Sequence, residues 1–256
     1  MPFEGKSVVV VGAASGMGKA AALEYGRRGA NVLAADLDGA MAQDVVNAIR
    51  AAGGKAESYQ FDLRSRSEVE KMISAAVDCF GGIDVLANVG AIYPRALVAE
   101  MEEDFWDNVF AVDLKGPLFC MQAAIPHLKK RSGNIVNVAS GAAFYAIPGL
   151  AAYGSAKAGL VALGRVVALE CSPHVRVNTV VPGPTMTPGV EAGGIRSVSR
   201  SEKDSALPNT PSSDPSTIGR WLDPSEIADV IVWVSSDKAT AVNGALLRVD
   251  GGHVML

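Results

Sequence analysis

The sequence of 256 residues predicts an α/β fold. We expect a doubly wound parallel sheet of about seven strands, with helices on both faces, in a single domain spanning 1–256. Three observations predict it. Short apolar runs alternate with helix-length segments along nearly the whole chain. The first run, "KSVVVVG" (6–12), is β-branched throughout rather than alternating, as a strand buried on both faces must be. That run ends in a glycine-rich turn, "VGAASGMG" (11–18), which leads into a helix.

The elements follow in order. After the first strand, residues 16–28 form a helix and "ANVLAAD" (30–36) a second strand. "DGAMAQDVVNAIRAAGG" reads as a helix closed by two glycines. "KAESYQFDL" (55–63) is the third strand, 66–80 the third helix and "GIDVLANVG" (82–90) the fourth strand. A helical region covers 103–130, followed by a fifth strand at "GNIVNVAS" (133–140). A long helix runs from 150 to 172 and a sixth strand is "VRVNTVVPG" (175–183). Residues 185–219 are rich in Ser, Pro and Gly without periodicity, which predicts a mobile substrate lid. In "DPSEIADVIVWVSS", Asp223 caps a helix with Pro224 in its first position, and "GALLRVDGG" closes the sheet.

Composition narrows the function. Hydrophobic residues make up 49% of the chain, enough for a large core, and the net charge of −4 with no run of Lys or Arg argues against a nucleic-acid partner. No uninterrupted apolar run is long enough to span a bilayer, and no basic leader precedes the first strand, so no membrane partner and a cytoplasmic location are expected. The three cysteines and three histidines are scattered, without a CxxC, so neither a disulfide framework nor a metal site is expected.

The glycine turn suits a dinucleotide. Gly12 permits the tight turn, Gly16 lets the backbone approach a pyrophosphate, and Gly18 lets helix and strand pack closely, while the helix N-terminus offers N–H groups to the phosphates. The spacing is G-x-x-x-G-x-G rather than the usual G-x-G-x-x-G. Asp36 ends the second strand, where its carboxylate would accept both adenosine ribose hydroxyls and repel a 2′-phosphate. The next residue is Leu37, not a base, which favours NAD (NADH) over NADP. The alternative is that Asp36 merely caps the helix starting at Asp38.

"YGSAK" (153–157) places Tyr153 and Lys157 on one face of a helix. Together with the glycine turn and Ser140, thirteen residues before Tyr153, it resembles the short-chain dehydrogenase/reductase family over essentially the whole length. The resemblance implies a Rossmann-like fold and a catalytic set of Ser140, Tyr153 and Lys157. It implies cofactor contacts at Ser15 and Met17 of the turn, at Leu37, at Asp62 and Leu63 in "FDL", and at Asn88 and Gly90 in "ANVG". "VPGPTMT" adds Pro182, Gly183 and Thr187 on the nicotinamide side. The family commonly has asparagine where this chain has Asp113, and that asparagine holds a water linked to the lysine. Asp113 is therefore a fourth catalytic candidate, although its charge would oppose phenolate formation. Asn108 cannot replace it, since five residues along a helix turn it about 140° away. The resemblance also implies a homotetramer, with the apolar end "HVML" tucked into an interface.

A free tyrosine has a pKa of about 10, so Tyr153 needs help to act near neutrality. The Lys157 ammonium and the positive ring of an oxidised nicotinamide are expected to lower it by about three units, or about 4 kcal/mol. Tyr153 would then exchange the proton of an alcohol while hydride leaves its carbon, Ser140 would hold the substrate oxygen, and Lys157 would bind the nicotinamide ribose. Ala142, Tyr145 and Met186 are expected to touch the substrate, together with an apolar wall that includes Ile92, Tyr93 and Phe144. The wall favours a small hydrophobic alcohol or ketone. Two other readings use the same fold: a non-catalytic dinucleotide-binding sensor or scaffold, and a 3-oxoacyl carrier-protein reductase.

Overall fold

A computed structural model describes residues 1–188 and 217–253. Seven strands, β1 (Ser7–Val11), β2 (Asn31–Asp36), β3 (Lys55–Gln60), β4 (Val85–Asn88), β5 (Asn134–Val138), β6 (Arg176–Pro182) and β7 (Leu246–Val249), form one sheet. Its order is β3-β2-β1-β4-β5-β6-β7, with every neighbouring pair parallel. This is the expected doubly wound, Rossmann-like arrangement.

Side chains alternate across β1, which builds a core on each face. Val8 and Val10 join Ala34, Tyr25 and Ile231 in one cluster, while Val9 and Val11 join Leu33, Met72, Leu128 and Ile135 in the other. The first face is covered by α1 (Gly16–Arg27), α2 (Gly39–Ala51) and α7 (Pro224–Val234). The second is covered by α3 (Arg66–Phe80), α5 (Gly116–Arg131) and α6 (Ala151–Cys171).

Three helices begin on side chains that satisfy their first N–H groups. Asp38 caps α2 through the Met41 N–H, Ser65 caps α3 through the Glu68 N–H, and Asp223 and Glu226 form a reciprocal capping box on α7. Helix α1, at the glycine turn, has no such cap. Its N-cap, Ser15, makes no side-chain cap hydrogen bond, and the first turn holds no acid. The N–H groups at its start are therefore left for something else.

Three expectations about elements need correction. The third strand stops at Gln60 rather than residue 63. The Phe61 N–H bonds the Asp36 carbonyl and the Asp62 N–H takes the Glu68 carboxylate at 2.7 Å, so "FDL" is a turn at the sheet's end. The fourth and last strands are likewise only four residues each. The helical region at 103–130 is not one regular helix, because α4 (Glu103–Phe110) meets α5 through a π-turn at Ala111–Lys115. The expected lid lies mostly outside the described residues, at 189–216, with Arg196 and Arg200, and so do residues 254–256 of the apolar end.

Among the described residues no helix is long and apolar enough to cross a membrane, and no cluster of His, Cys, Asp or Glu could hold a metal.

Candidate active site

The strand order reverses between β1 and β4, and the loops leaving these strands meet there. The meeting requires two glycines. Gly12 has φ of +80° and lies against Gly90, so a Cβ on Gly12 would collide with the Gly90 backbone. Gly18 packs α1 onto the same turn, and a Cβ there would overlap the Gly12 carbonyl oxygen. Gly16, with φ of +53°, faces Thr187, whose methyl would sit 3.3 Å from an added Cβ.

A cleft of about 460 Å³ opens at this point. It is lined by Gly12, Ser15, Gly16, Met17 and Gly18 of the turn, by Asp36 and Leu37 after β2, and by Asp62 and Leu63 after β3. Gly90, Tyr153 and Thr187 complete its expected lining. The residues suit a dinucleotide: the glycines leave room for backbone approach, and the uncapped start of α1 supplies N–H donors for a pyrophosphate.

Asp36 is held by the backbone at both oxygens, accepting from the Ala14 N–H at 2.9 Å and the Asp38 N–H at 3.0 Å. It does not cap α2, a role that falls to Asp38. Each carboxylate oxygen retains acceptor capacity toward the cleft.

Two polar cleft residues are not among the contacts expected from the sequence. Arg64 clasps the Asp62 carboxylate at 2.6 Å and donates to the Asn108 Oδ1 at 2.9 Å. Both Arg64 and Asn108 line the cleft. The Arg64 guanidinium holds the Asp62 carboxyl below the usual carboxylate range. The proximity of Arg64 to Asp62 in the chain is its only sequence signal; for Asn108 none exists without the π-turn.

Behind the cleft lies the proton-handling group. The Ser140 hydroxyl, just after β5, accepts from the Ala142 N–H at 3.2 Å and lies close enough to Tyr153 to pull the pKa of its phenol down. One turn along α6, Lys157 is buried, donating to the Val138 carbonyl at 3.2 Å with its ammonium 5.7 Å from the Tyr153 ring centroid. Asp113 sits on the π-turn, fully buried. Its Oδ1 accepts from the Ile92 N–H at 3.0 Å, while its Oδ2 is buried without a hydrogen-bond partner. Such π-turns often mark functional sites, because the extra residue re-aims a side chain. Asn88 is also buried; its amide donates to Asn137, so it braces β4 against β5 rather than lining the cleft.

The electrostatics depart from expectation at Tyr153. Burial raises its pKa, and the Asp113 charge raises it further, against the lowering effect of the Ser140 hydroxyl. The protein's own groups thus keep the phenol protonated, and the expected lowering by Lys157 is not realised by them. Burial also pushes the Lys157 ammonium down, opposed by Asp113. Desolvation lifts the Asp113 carboxyl to about 6, against the opposing pull of Lys157 and the Ile92 N–H.

These shifts give a signed prediction for Asp113→Asn. A carboxyl raised to about 6 binds its proton more tightly when folded than when unfolded. Its stabilising contribution is therefore present below its ordinary range and is lost as pH rises from about 4 to about 6. The amide introduced by Asp113→Asn does not titrate, so the variant should gain roughly 3 kcal/mol relative to the parent between about pH 4 and about pH 6.5 in urea unfolding. Parallel curves across that range would show that Asp113 is not perturbed. In activity, losing the carboxylate should move the Tyr153 limb to lower pH.

Not every predicted contact lines the cleft. Ala142 and Tyr145 lie beside Ser140, Met186 is tied through its N–H to Leu222, and Pro182 and Gly183 end β6 against Val249 and Asp250. None of these five is part of the cleft wall.

The chain is similar to known proteins along nearly its whole length. The model of a family described as enoyl-(acyl carrier protein) reductase matches residues 12–253. The chain is 34% identical to the 3-oxoacyl-(acyl-carrier-protein) reductase of Thermotoga maritima, over all of both chains. It is 34% identical to the meso-2,3-butanediol dehydrogenase of Serratia marcescens, over 98% of this chain and 96% of that one. A crystal structure of a dehydrogenase/reductase from Sinorhizobium meliloti 1021 superposes with a TM-score of 0.87 at 29% identity, covering 98% of this chain and 95% of the other.

Proposed function

The chain belongs to the short-chain dehydrogenase/reductase family, and on that premise we propose that it is an NAD(H)-dependent oxidoreductase interconverting a hydrophobic secondary alcohol and its ketone. The observation that carries this reading is the gathering of Tyr153, Ser140 and the buried Lys157, with its ammonium 5.7 Å from the Tyr153 ring, at the edge of the dinucleotide-shaped cleft. A nicotinamide bound in the cleft would supply or accept the hydride, and its oxidised form would add the positive charge that favours the Tyr153 phenolate. Ser140 positions the reacting oxygen. Tyr153 gives its proton to a ketone oxygen, or takes the proton of an alcohol. Lys157 holds the nicotinamide ribose and, with Asp113, replenishes the proton.

Asp36 supports NAD over NADP, since its carboxylate faces the place where a 2′-phosphate would sit. Fluorescence titration should show NADH binding tighter than NADPH by about tenfold or more, the equivalent of about 1.4 kcal/mol of like-charge repulsion. Tighter NADPH binding, with reduction of an acetoacetyl thioester, would instead favour a 3-oxoacyl carrier-protein reductase, the reading supported by the Thermotoga maritima relative. Tight NADH binding without turnover across a panel of alcohols and ketones would favour the sensor. The butanediol dehydrogenase named for Serratia marcescens supports an alcohol-oxidising reading.

A further inference from the structure

We infer that the substrate carries a second oxygen close to the reacting carbon, as a vicinal diol or hydroxyketone does, and that the Tyr145 hydroxyl donates a hydrogen bond to it. The inference rests on the assignment of Tyr153 and Ser140 to the reacting oxygen.

The chain has five tyrosines, and three of them gather at this site. Tyr93 meets Tyr153 edge to face, with ring centroids 6.1 Å apart. Tyr145 lies back over Gly141, the residue next to Ser140, so closely that an added Cβ on Gly141 would stand 3.0 Å from the Tyr145 hydroxyl and overlap the ring edge. The Tyr145 ring also meets His253 edge to face, at 5.3 Å between centroids. The ring is thus held by contacts to both Gly141 and His253, with its hydroxyl close to the residue that follows the serine. Both Tyr93 and Tyr145 act on the ionisation of Tyr153, which brings the three phenols into one electrostatic neighbourhood.

One alcohol or ketone oxygen needs only Ser140 and Tyr153. Tyr145 is then a spare donor, for its hydroxyl makes no hydrogen bond among the described residues. Burial and the charge of Asp250 raise its pKa, so it remains a protonated donor throughout the working range. Its immediate neighbours are the backbone of Gly141, the His253 ring and the Asp250 charge. A phenol fixed beside the reacting pair discriminates between substrates that offer it an oxygen and those that leave it unpaired.

In the oxidation, the carbinol carbon would lose its hydride to a bound oxidised nicotinamide, and its hydroxyl would lose a proton to Tyr153 as the phenolate that the positive ring favours. A ketone results, and the second hydroxyl, held by Tyr145, is unchanged.

Cyclohexane-1,2-diol, as separate cis and trans isomers, and cyclohexanol share one skeleton and differ by this oxygen. With NAD, the wild-type kcat/KM for the better diol isomer should exceed that for cyclohexanol by about tenfold or more. Tyr145→Phe should compress that ratio to within about twofold, with NADH affinity measured alongside to report that the variant is folded. Equal use of cyclohexanol and the diols by the wild type overturns the inference and leaves the oxidoreductase reading standing. So does a Tyr145→Phe variant that keeps the wild-type ratio. A protein that binds NADH and oxidises neither compound overturns both.

Discussion

Tyr153→Phe lowers turnover by about 10²- to 10⁴-fold, the usual contribution of a positioned general acid or base. The variant removes one hydroxyl and leaves the ring that packs with Tyr93, Ala152 and Ala156 in place. Its stability and its affinity for NADH should therefore stay close to those of the parent, so that the loss appears in kcat rather than KM. Stopped-flow or steady-state assays with any accepted alcohol decide the point. The structure adds a reason to expect the upper part of the range. Burial and Asp113 both hold the Tyr153 proton in place, so the phenol is the group from which a ketone oxygen must draw it. Full activity in the phenylalanine variant would require another proton donor and would remove the basis for the proposed mechanism.

Gly18→Ala has the second large effect, and it acts on binding and stability together. The new Cβ would overlap the Gly12 carbonyl oxygen, which is backbone and cannot swing aside as a side-chain tip can. Helix α1 would have to lift from β1, or the turn would have to move. Overpacking of this kind costs about 1–3 kcal/mol, which for a chain of this length lowers the melting temperature by roughly 2–4 °C per kcal/mol. The same movement displaces the N–H groups at the start of α1, so NADH affinity should fall by more than the stability loss alone explains. Differential scanning calorimetry with fluorescence titration separates the two. An alanine variant with parental melting and binding would show that the helix does not pack on the turn as described.

Much of this is legible in the order of residues alone. A β-branched run ended by glycine, a second strand ended by Asp36, and a tyrosine and lysine four residues apart have simple geometric consequences, and the sheet and cleft place them as those consequences require. What escapes depends on contacts between distant segments. The third strand ends at Gln60 because the Asp36 carbonyl and the Glu68 carboxylate capture the next two N–H groups, and neither partner is local to the run. Arg64 and Asn108 reach each other across 44 positions in the chain. The π-turn leaves no mark in the residue pattern of "FAVDLKG", yet it sets which side of the helix Asp113 presents. The ionisation of Tyr153 departs from its spacing for a related reason: proximity to a lysine is visible along the chain, whereas burial is not.

The hydrogen bonds on Asp36 have a consequence for redesign. Its carboxylate both lines the cleft and anchors the Ala14 N–H of the glycine turn at 2.9 Å. On the proposed NAD(H) reading, cofactor choice and the shape of the glycine turn share one side chain, and they cannot be tuned separately by a substitution that discards its oxygen. A variant meant to admit a 2′-phosphate must shed the charge and keep an acceptor for Ala14, which points to asparagine or serine before alanine or arginine.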